Sequence, residues 1–222
     1  MNVLCIATHP DDESLGCGGT LLRHRKNGDT LFWLIVTQAG EPLVTAEMSA
    51  IRAAQMKRIE EAFGFARVVR LGFPAAALDR VPEGDLIRGV AGAVADLSPD
   101  VIYMNHGGDA HSDHRVAFQA CMAALKTFRL RRPVHRVLTY ETLSETEQAP
   151  ALGVSLPFQP TTFVDISAEI DRKVELMSIY TGEMQPFPFP REESAIRALA
   201  RYRGAQAGVG YAEAFSLMRE VW

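Results

Sequence analysis

The sequence predicts an α/β fold in which a mainly parallel β-sheet is flanked by helices on both faces. Two features lead to this prediction: short apolar runs that do not alternate with polar residues, and amphipathic helical segments between those runs. Runs that are apolar throughout are typical of strands buried on both faces, and the intervening helices supply the right-handed crossovers that parallel strands need. Because ligands bind beyond the carboxyl ends of such strands, the polar loops there are candidate sites.

The first half of the chain alternates regularly between the two kinds of segment. The first apolar run is followed by a helical pattern that has basic residues near its end and stops at Gly28. The run TLFWLIVT is apolar again, and the long amphipathic segment after it stops at Gly64. In this half the predicted strands are 2–8, 30–37, 67–71 and 101–104, and the predicted helices are 14–27, 45–63, 85–97 and 113–128.

The second half is less regular. Residues 137–142 and 161–164 have the apolar character of strands, and 167–180 has helical spacing. The proline-rich text QPFPFPR, which begins at Gln185, cannot form a regular helix because proline lacks a backbone N–H. A last helix is predicted over 192–203. Since the chain shows neither an internal repeat nor a linker composition, a single domain over residues 1–222 is expected.

Composition and charge favour a protein that acts on a small molecule. The 222 residues are 47% hydrophobic and 23% charged, and the net charge is −4. This acidic balance argues against nucleic-acid binding and against polybasic membrane anchoring. The sequence lacks the pattern of a secretory signal, and its three cysteines match neither a disulfide framework nor a metal knuckle, so a cytoplasmic location is expected. Assembly into a homo-oligomer stays open.

The first candidate site follows the first predicted strand and reads HPDDE from His9 to Glu13. Acidic residues are favoured in the first turn of a helix, so helix capping accounts for one or two of these carboxylates. Capping accounts poorly for a histidine followed by three acids, because like charges repel one another unless a positive charge is near. A divalent cation would supply that charge.

The second candidate site follows the fourth predicted strand and reads HGGDAHSDHR from His106 to Arg115. His111 and His114 are three residues apart, so both can face one way from the first turn of a helix. Imidazole ligands favour zinc over magnesium or calcium, and two histidines with one carboxylate leave a fourth position for water, as in catalytic zinc sites. Spare carboxylates can take a proton from that water, so hydrolysis of an amide or ester is predicted.

Other motifs fit the residues less well. The GCGG sequence from Gly16 to Gly19 lacks the spacing of a dinucleotide loop, and its glycines are expected to allow close packing of a helix on a strand. The sequence contains neither a GxSxG elbow nor a Walker A motif. A metal-dependent phosphoesterase remains an alternative, although a two-metal site should offer more bridging acids at other strand ends than this sequence does.

These motifs resemble those of the LmbE-like, or PIG-L-type, N-acetylglucosaminyl deacetylase family. The resemblance lies in ATHPDDESLGCGGTL at 7–21, TQAGE at 37–41, HSDHR at 111–115 and RYRGAQAGVGYAEAF at 201–215. It implies a Rossmann-like sheet, one zinc ion per chain, and hydrolysis of the N-acetyl group of an N-acetylglucosamine-type amino sugar to give the free amine and acetate. A non-catalytic sugar-binding relative is a further alternative, but such a protein should have lost the base or a ligand.

The resemblance also implies roles for individual residues. His9, Asp12 and His114 would be the zinc ligands, and Asp11 would be the general base. His111 would assist the oxyanion or the leaving amine, although the sequence leaves the direction of its pKa shift open. Asp113 would orient His111. The residues that the resemblance places near the sugar are Arg52, Glu41 and Asp79. The group attached to the sugar has no readable code, since it would be recognised by the loops 143–160 and 182–191.

Overall fold

The computed structural model describes residues 1–40, 44–150 and 156–222. The strands in these residues are β1 (Asn2–Ala7), β2 (Thr30–Gln38), β3 (Arg67–Pro74), β4 (Val101–Asn105), β5 (Arg136–Tyr140), β6 (Thr162–Asp165) and β7 (Ala212–Glu220). They form one sheet in the order β3-β2-β1-β4-β5-β7-β6. The strands from β3 to β5 pair in parallel, whereas β7 runs antiparallel to both of its neighbours.

Helices cover both faces of this sheet, as the sequence predicts. Side chains of β1 alternate between two apolar clusters: Val3 and Cys5 belong to one, and Leu4 and Ile6 belong to the other. The first cluster includes residues of four helices, α1 (Asp12–Lys26), α2 (Ala46–Phe63), α5 (Ile170–Met177) and α6 (Glu193–Ala207), and the second includes residues of α3 (Glu83–Leu97) and α4 (Ser112–Ala124). The predicted α/β class is therefore confirmed.

The strand order changes direction at β1, and this places the two candidate sequences together. β2 and β3 lie on one side of β1, while β4 and β5 lie on the other. The loops after β1 and β4 therefore border the crevice where open α/β sheets bind ligands. The backbone N–H and the hydroxyl of Thr8 both donate to Oδ1 of Asn105, at 3.0 and 2.9 Å, and join the starts of the two loops.

Helix α1 begins at the first candidate sequence and is broken once. Cys17 has the non-helical angles φ −141° and ψ 20°. Around this break the helix packs closely on its neighbours: a Cβ atom on Gly16 would lie 2.0 Å from the ring of Tyr140, and one on Gly19 would lie 2.7 Å from Ile166. Gly16 therefore has the predicted role of allowing a helix to pack closely on a strand, since Tyr140 belongs to β5.

The carboxylate of Glu213, in β7, caps the second part of α1. It accepts hydrogen bonds from the backbone N–H groups of Gly19 at 2.9 Å and Thr20 at 2.7 Å. Nζ of Lys173 pairs with Glu213 at 2.6 Å and also donates to the carbonyl of Leu15 at 2.7 Å. Glu213 and Lys173 are both buried. Their contacts connect the last strand with the helix that follows the first strand.

The second half of the chain departs most from the prediction. No strand was predicted after the last helix, yet β7 lies there, and α6 continues to Ala207 beyond the predicted end at 203. The predicted helix 167–180 is the shorter α5, and the helix predicted to reach 128 ends at Ala124. Among the described residues, none of the helices has the length and apolar character that crossing a membrane requires.

Candidate active site

Three side chains expected as metal ligands lie around one point at the carboxyl edge of the sheet. Nδ1 of His9 lies 3.2 Å from Nε2 of His114, and Oδ2 of Asp12 lies 3.7 and 3.4 Å from those two nitrogens. Ligand atoms about 2.0–2.1 Å from one tetrahedral zinc ion lie about 3.3–3.4 Å apart. Two edges of this triangle of donor atoms, 3.2 and 3.4 Å, are close to that spacing and the third, 3.7 Å, is longer, so the donor set fits a single zinc ion.

Two further carboxylates fix the orientation of these imidazoles. Oδ2 of Asp109 lies 2.8 Å from Nδ1 of His114, and Oδ2 of Asp113 lies 3.0 Å from Nε2 of His9. A carboxylate accepts hydrogen bonds, so each of these ring nitrogens carries a proton, and the other ring nitrogen faces the triangle, where it can bind a metal in its deprotonated form. Histidine ligands of metals are commonly held in this way. The contact of Asp109 with His114 is not indicated by the sequence, although Asp109 stands within the second candidate sequence.

The charges at the triangle also favour a cation. Burial opposes a positive charge on His114, but Asp12 and Asp109 outweigh burial and raise the pKa of His114 to about 10. Burial likewise opposes the negative charge of Asp12, but His114 and His9 outweigh it and lower the pKa of Asp12. A second group, His9, His111 and Asp113, could also hold an ion. In that group the facing nitrogen of His9 is already hydrogen-bonded to Asp113.

Asp11 lies next to the triangle in a strained conformation. Its φ of 127° falls in the region that favours glycine. Its backbone N–H donates to Oε2 of Glu13 at 3.0 Å, and Oε1 of Glu13 accepts the hydroxyl of Tyr180 at 2.9 Å. Burial raises the pKa of the Asp11 carboxyl well above its usual range, while the nearby Arg191 acts in the opposite direction. Burial also raises the pKa of Glu13 to about 7.

Arg191 is a site residue that the sequence does not indicate. Its Nη1 donates to Oδ2 of Asp11 at 2.8 Å and to Oε2 of Glu183 at 3.2 Å, and its Nε donates to the hydroxyl of Ser144 at 2.8 Å. Oε1 of Glu145 lies 3.4 Å from Nη2. A single arginine after a proline-rich loop carries no sequence signal for this role, because the contact spans 180 residues of chain.

The structure places His111 close to the triangle but changes the role expected of Asp113. Nδ1 of His111 accepts the backbone N–H of Asp113 at 3.1 Å, and its ring centre lies 4.5 Å from that of His9. The carboxylate of Asp113 contacts His9 instead of His111. It also accepts the backbone N–H groups of Ala76 and Leu78. Burial, followed by the nearby rings of His9 and His114, lowers the pKa of His111 to about 4.

The three residues expected near the sugar differ in their positions. Nη2 of Arg52, in α2, donates to Oε1 of Glu183 at 2.8 Å, so Glu183 connects Arg52 with Arg191. Asp79 is exposed, and the structure gives no contact between its side chain and the triangle within the described residues. Glu41 lies outside the described residues.

A cavity of about 290 Å³ opens beside the triangle, and we call it the His9 cavity. Its volume is near the lower end of the range for small-molecule sites, about 300 Å³. Residues of β2, α2 and β3 line it together with the loop after β1; they include His9, Thr37, Ser49, Arg52, Met56 and Arg70. A ligand in this cavity would therefore lie between the metal-ligand candidates and Arg52.

The mainly parallel sheet and the His/Asp/His group at its carboxyl edge place this chain in the class of α/β proteins that bind ligands at a topological switch point. Residues 4–125 match the family model described as "PIG-L: GlcNAc-PI de-N-acetylase". This match covers more than half of the chain, so the chain belongs to this family of deacetylases.

Individual relatives agree with this assignment. The "Probable N-acetyl-alpha-D-glucosaminyl L-malate deacetylase 2" of Bacillus anthracis is 28% identical over 192 residues, which are 82% of this chain and 81% of the relative. The "Diacetylchitobiose deacetylase" of Thermococcus kodakarensis is 27% identical over 224 residues, which cover 95% of this chain and 80% of the relative. A conserved protein from Thermus thermophilus, whose crystal structure is known, is 30% identical in sequence and superposes with a TM-score of 0.77. The match covers 100% of this chain and 96% of that protein.

Proposed function

We propose that this protein is a zinc-dependent deacetylase that removes the N-acetyl group from an N-acetylglucosamine-type amino sugar or its conjugate. The observation that carries the proposal is the triangle of His9, Asp12 and His114, whose edges of 3.2, 3.4 and 3.7 Å suit one zinc ion per chain. The substrate class is supported by the names of the relatives, which specify an N-acetylglucosaminyl conjugate and diacetylchitobiose.

In this mechanism Asp11 is the general base. When bound, zinc supplies Lewis acidity that polarises a carbonyl and lowers the pKa of water. The Asp11 carboxylate accepts the proton of the attacking water, and burial, which raises its pKa, makes it a stronger base. Arg191, at 2.8 Å, stabilises the ionised form and so keeps this carboxylate available as a base.

His111 is proposed as the hydrogen-bond donor. Because its Nδ1 accepts a backbone N–H, the neutral ring carries its proton on Nε2. That N–H can stabilise the oxyanion that develops on the carbonyl oxygen of the acetyl group and can assist the departing amine. Asp113 positions both histidines, since its carboxylate holds His9 and its backbone N–H holds His111. The amide C–N bond breaks: the acetyl group leaves with the hydroxyl of the water as acetic acid, which ionises to acetate, and the other proton of the water goes to the sugar amine.

Acetate release from the methyl glycosides of N-acetylglucosamine tests this function, with Asp11→Asn as the critical variant. The amide has nearly the same shape as the carboxylate but cannot accept the proton of water. Zinc-loaded wild-type protein should release acetate, and Asp11→Asn should retain zinc while its rate falls about 100-fold to 10,000-fold. Wild-type turnover by Asp11→Asn, measured at equal zinc content, would contradict the assignment.

The phosphoesterase alternative has less support from the described residues. Two-metal phosphoesterases bind two metal ions close together, so their sites need enough ligands for both ions. The two candidate groups found in the described residues share His9 and have no carboxylate in common. Phosphate release from sugar phosphates is therefore expected to be absent from a preparation that releases acetate.

A further inference from the structure

A second cavity, of about 200 Å³, opens on the other side of Arg52, and we call it the α2 cavity. It shares Pro10, Arg52 and Met56 with the His9 cavity, so the two cavities meet beside the candidate active site. The ion pair between Arg52 and Glu183 stands at this junction. A molecule bound in the His9 cavity can therefore extend past Arg52 into the α2 cavity.

Polar side chains that line the α2 cavity already have protein partners. Arg52 donates to Glu183 at 2.8 Å, and Nε2 of Gln55 donates to Oγ1 of Thr181 at 3.0 Å. The hydroxyl of Tyr180 donates a hydrogen bond to Oε1 of Glu13. A ligand here would have to break one of these pairs to gain a side-chain hydrogen bond, so the cavity mainly offers the apolar surface of Met48, Ile51, Met56 and the Tyr180 ring.

Helix α2 leaves this apolar surface uncovered. The helix begins at Ala46, yet the side chains that it buries are Ile59 and Phe63, both in its last two turns. Met48 and Ile51, one turn apart on the lip of the cavity, are 46% and 49% exposed. Large apolar side chains exposed together beside an active site are characteristic of ligand-binding surfaces.

We propose that the α2 cavity is the subsite for an apolar group attached to the sugar, such as a short alkyl chain or a single ring. This inference rests on the proposed function, because it places the acetamido group at the triangle and the substituent beyond Arg52. The occupant is part of the substrate because the α2 cavity adjoins the His9 cavity, with which it shares Pro10, Arg52 and Met56.

The experiment compares methyl, propyl, butyl and hexyl glycosides of N-acetylglucosamine, in both anomeric forms. For each glycoside, kcat/KM is measured by acetate release and the affinity is measured by calorimetry. In the wild type we expect kcat/KM to rise about twofold to fourfold with each added methylene until the cavity is filled. Binding of the longer glycosides should also show a more negative heat-capacity change, the mark of apolar burial.

The double variant Met48→Gln/Ile51→Thr keeps the approximate size of both side chains and removes their apolar character. Its ratio of kcat/KM for the hexyl glycoside over the methyl glycoside should fall to within about twofold of one. This ratio does not depend on the fraction of folded protein, so partial misfolding cannot imitate the result. The matched control is Phe128→Gln, which changes an apolar side chain that is 80% exposed and lies outside both cavities, and it should keep the wild-type ratio.

Three results would overturn the inference. One is a wild-type kcat/KM that does not change with chain length, and another is a double variant that keeps the wild-type ratio. The third is a change in the molecular mass of the double variant in solution, which would identify Met48 and Ile51 as a contact between copies of the chain. If no glycoside releases acetate, the proposed function fails, and the calorimetric dependence on chain length still decides whether the α2 cavity binds apolar groups.

Discussion

Asp11 has a backbone with positive φ, and its buried carboxylate is paired with an arginine. Burial favours the protonated acid, whereas the guanidinium of Arg191, at 2.8 Å, favours the carboxylate. The balance between the two sets the pH range in which Asp11 can act as a base. Arg191 should therefore control the pH dependence of the reaction without being required to touch the substrate.

Replacing Arg191 by glutamine should move the acidic limb of the pH–rate profile to higher pH. The rate rises with pH as Asp11 ionises, and removal of the opposite charge raises the pKa of Asp11, so the midpoint must increase. An opposite charge close to a carboxylate lowers its pKa by about 1–3. The profile of kcat/KM for acetate release measures this shift.

Arg191→Lys is the matched comparison for that experiment. Lysine keeps the positive charge but loses the forked contacts with Ser144 and Glu183, so its profile should lie between those of the wild type and Arg191→Gln. An acidic limb at the same pH in all three proteins would mean that Asp11 is not the group that titrates.

Asp109 acts through His114 and should control metal affinity. Its carboxylate is buried, lies 2.8 Å from Nδ1 of His114 and accepts the hydroxyl of Thr146 at 2.7 Å. Asp109→Asn should weaken zinc binding about 10-fold to 100-fold, as measured by competition with a chelator of known affinity. Asp171→Asn, at a side chain that is 81% exposed, should leave zinc binding unchanged. Equal zinc affinity in Asp109→Asn and the wild type would remove this role from Asp109.

The predictability of the site differs from residue to residue. His9, Asp12, His111 and His114 could be found from the sequence, because each lies in a dense local motif after a strand that is apolar throughout. Arg191 could not be found in this way, since its partner lies 180 residues away and its own segment is rich in proline. The structure also connects the Asp113 carboxylate to His9, a contact that spacing along α4 cannot indicate.

Among the secondary-structure elements, β7 shows why the sequence predicts the structure least well near the end of the chain. The strand lies between β5 and β6, and its first five residues are buried, so its side chains do not alternate between apolar and polar. One of those buried residues is Glu213, a type rarely found inside a sheet. Its presence is explained by a distant partner, the second part of α1 after the break at Cys17, which no local pattern indicates.

The contact between β7 and α1 gives a prediction for stability. Glu213→Ala leaves the buried ammonium of Lys173 without its carboxylate and uncaps Gly19 and Thr20, so the free energy of unfolding should fall by about 3–5 kcal/mol. The double variant Glu213→Leu/Lys173→Met, which removes both charges, should lose less than the sum of its two single variants. Denaturation with urea measures these differences.

An exposed ion pair provides the control for this cycle. Arg197 pairs with Asp171 at 2.7 Å, but Asp171 is 81% exposed, so breaking the pair with Asp171→Asn should change stability by about 0–1 kcal/mol. A loss of less than about 1 kcal/mol in Glu213→Ala would show that β7 does not hold α1 through this carboxylate.

In the molecule as a whole, the apolar core lies on the two faces of the sheet, and the candidate metal site lies at the edge of that structure. The sequence predicted this arrangement because buried parallel strands and their crossover helices leave a strong local pattern. The site itself contains several buried carboxylates, which are costly to keep charged without a cation. We therefore expect the ion to add stability to a domain that folds without it.

Removal of zinc by a chelator should abolish acetate release and lower the melting temperature, yet leave the far-ultraviolet circular dichroism at 25 °C unchanged. An ion that binds only the folded state contributes about 4 kcal/mol when its free concentration is about 1,000 times its Kd. In a domain of this size 1 kcal/mol corresponds to about 2–4 °C, so the melting temperature should fall by about 8–16 °C. His114→Ala, which lacks a ligand, should show no shift on chelation. Loss of the circular dichroism signal in the chelated wild type at 25 °C would show that folding itself requires the metal.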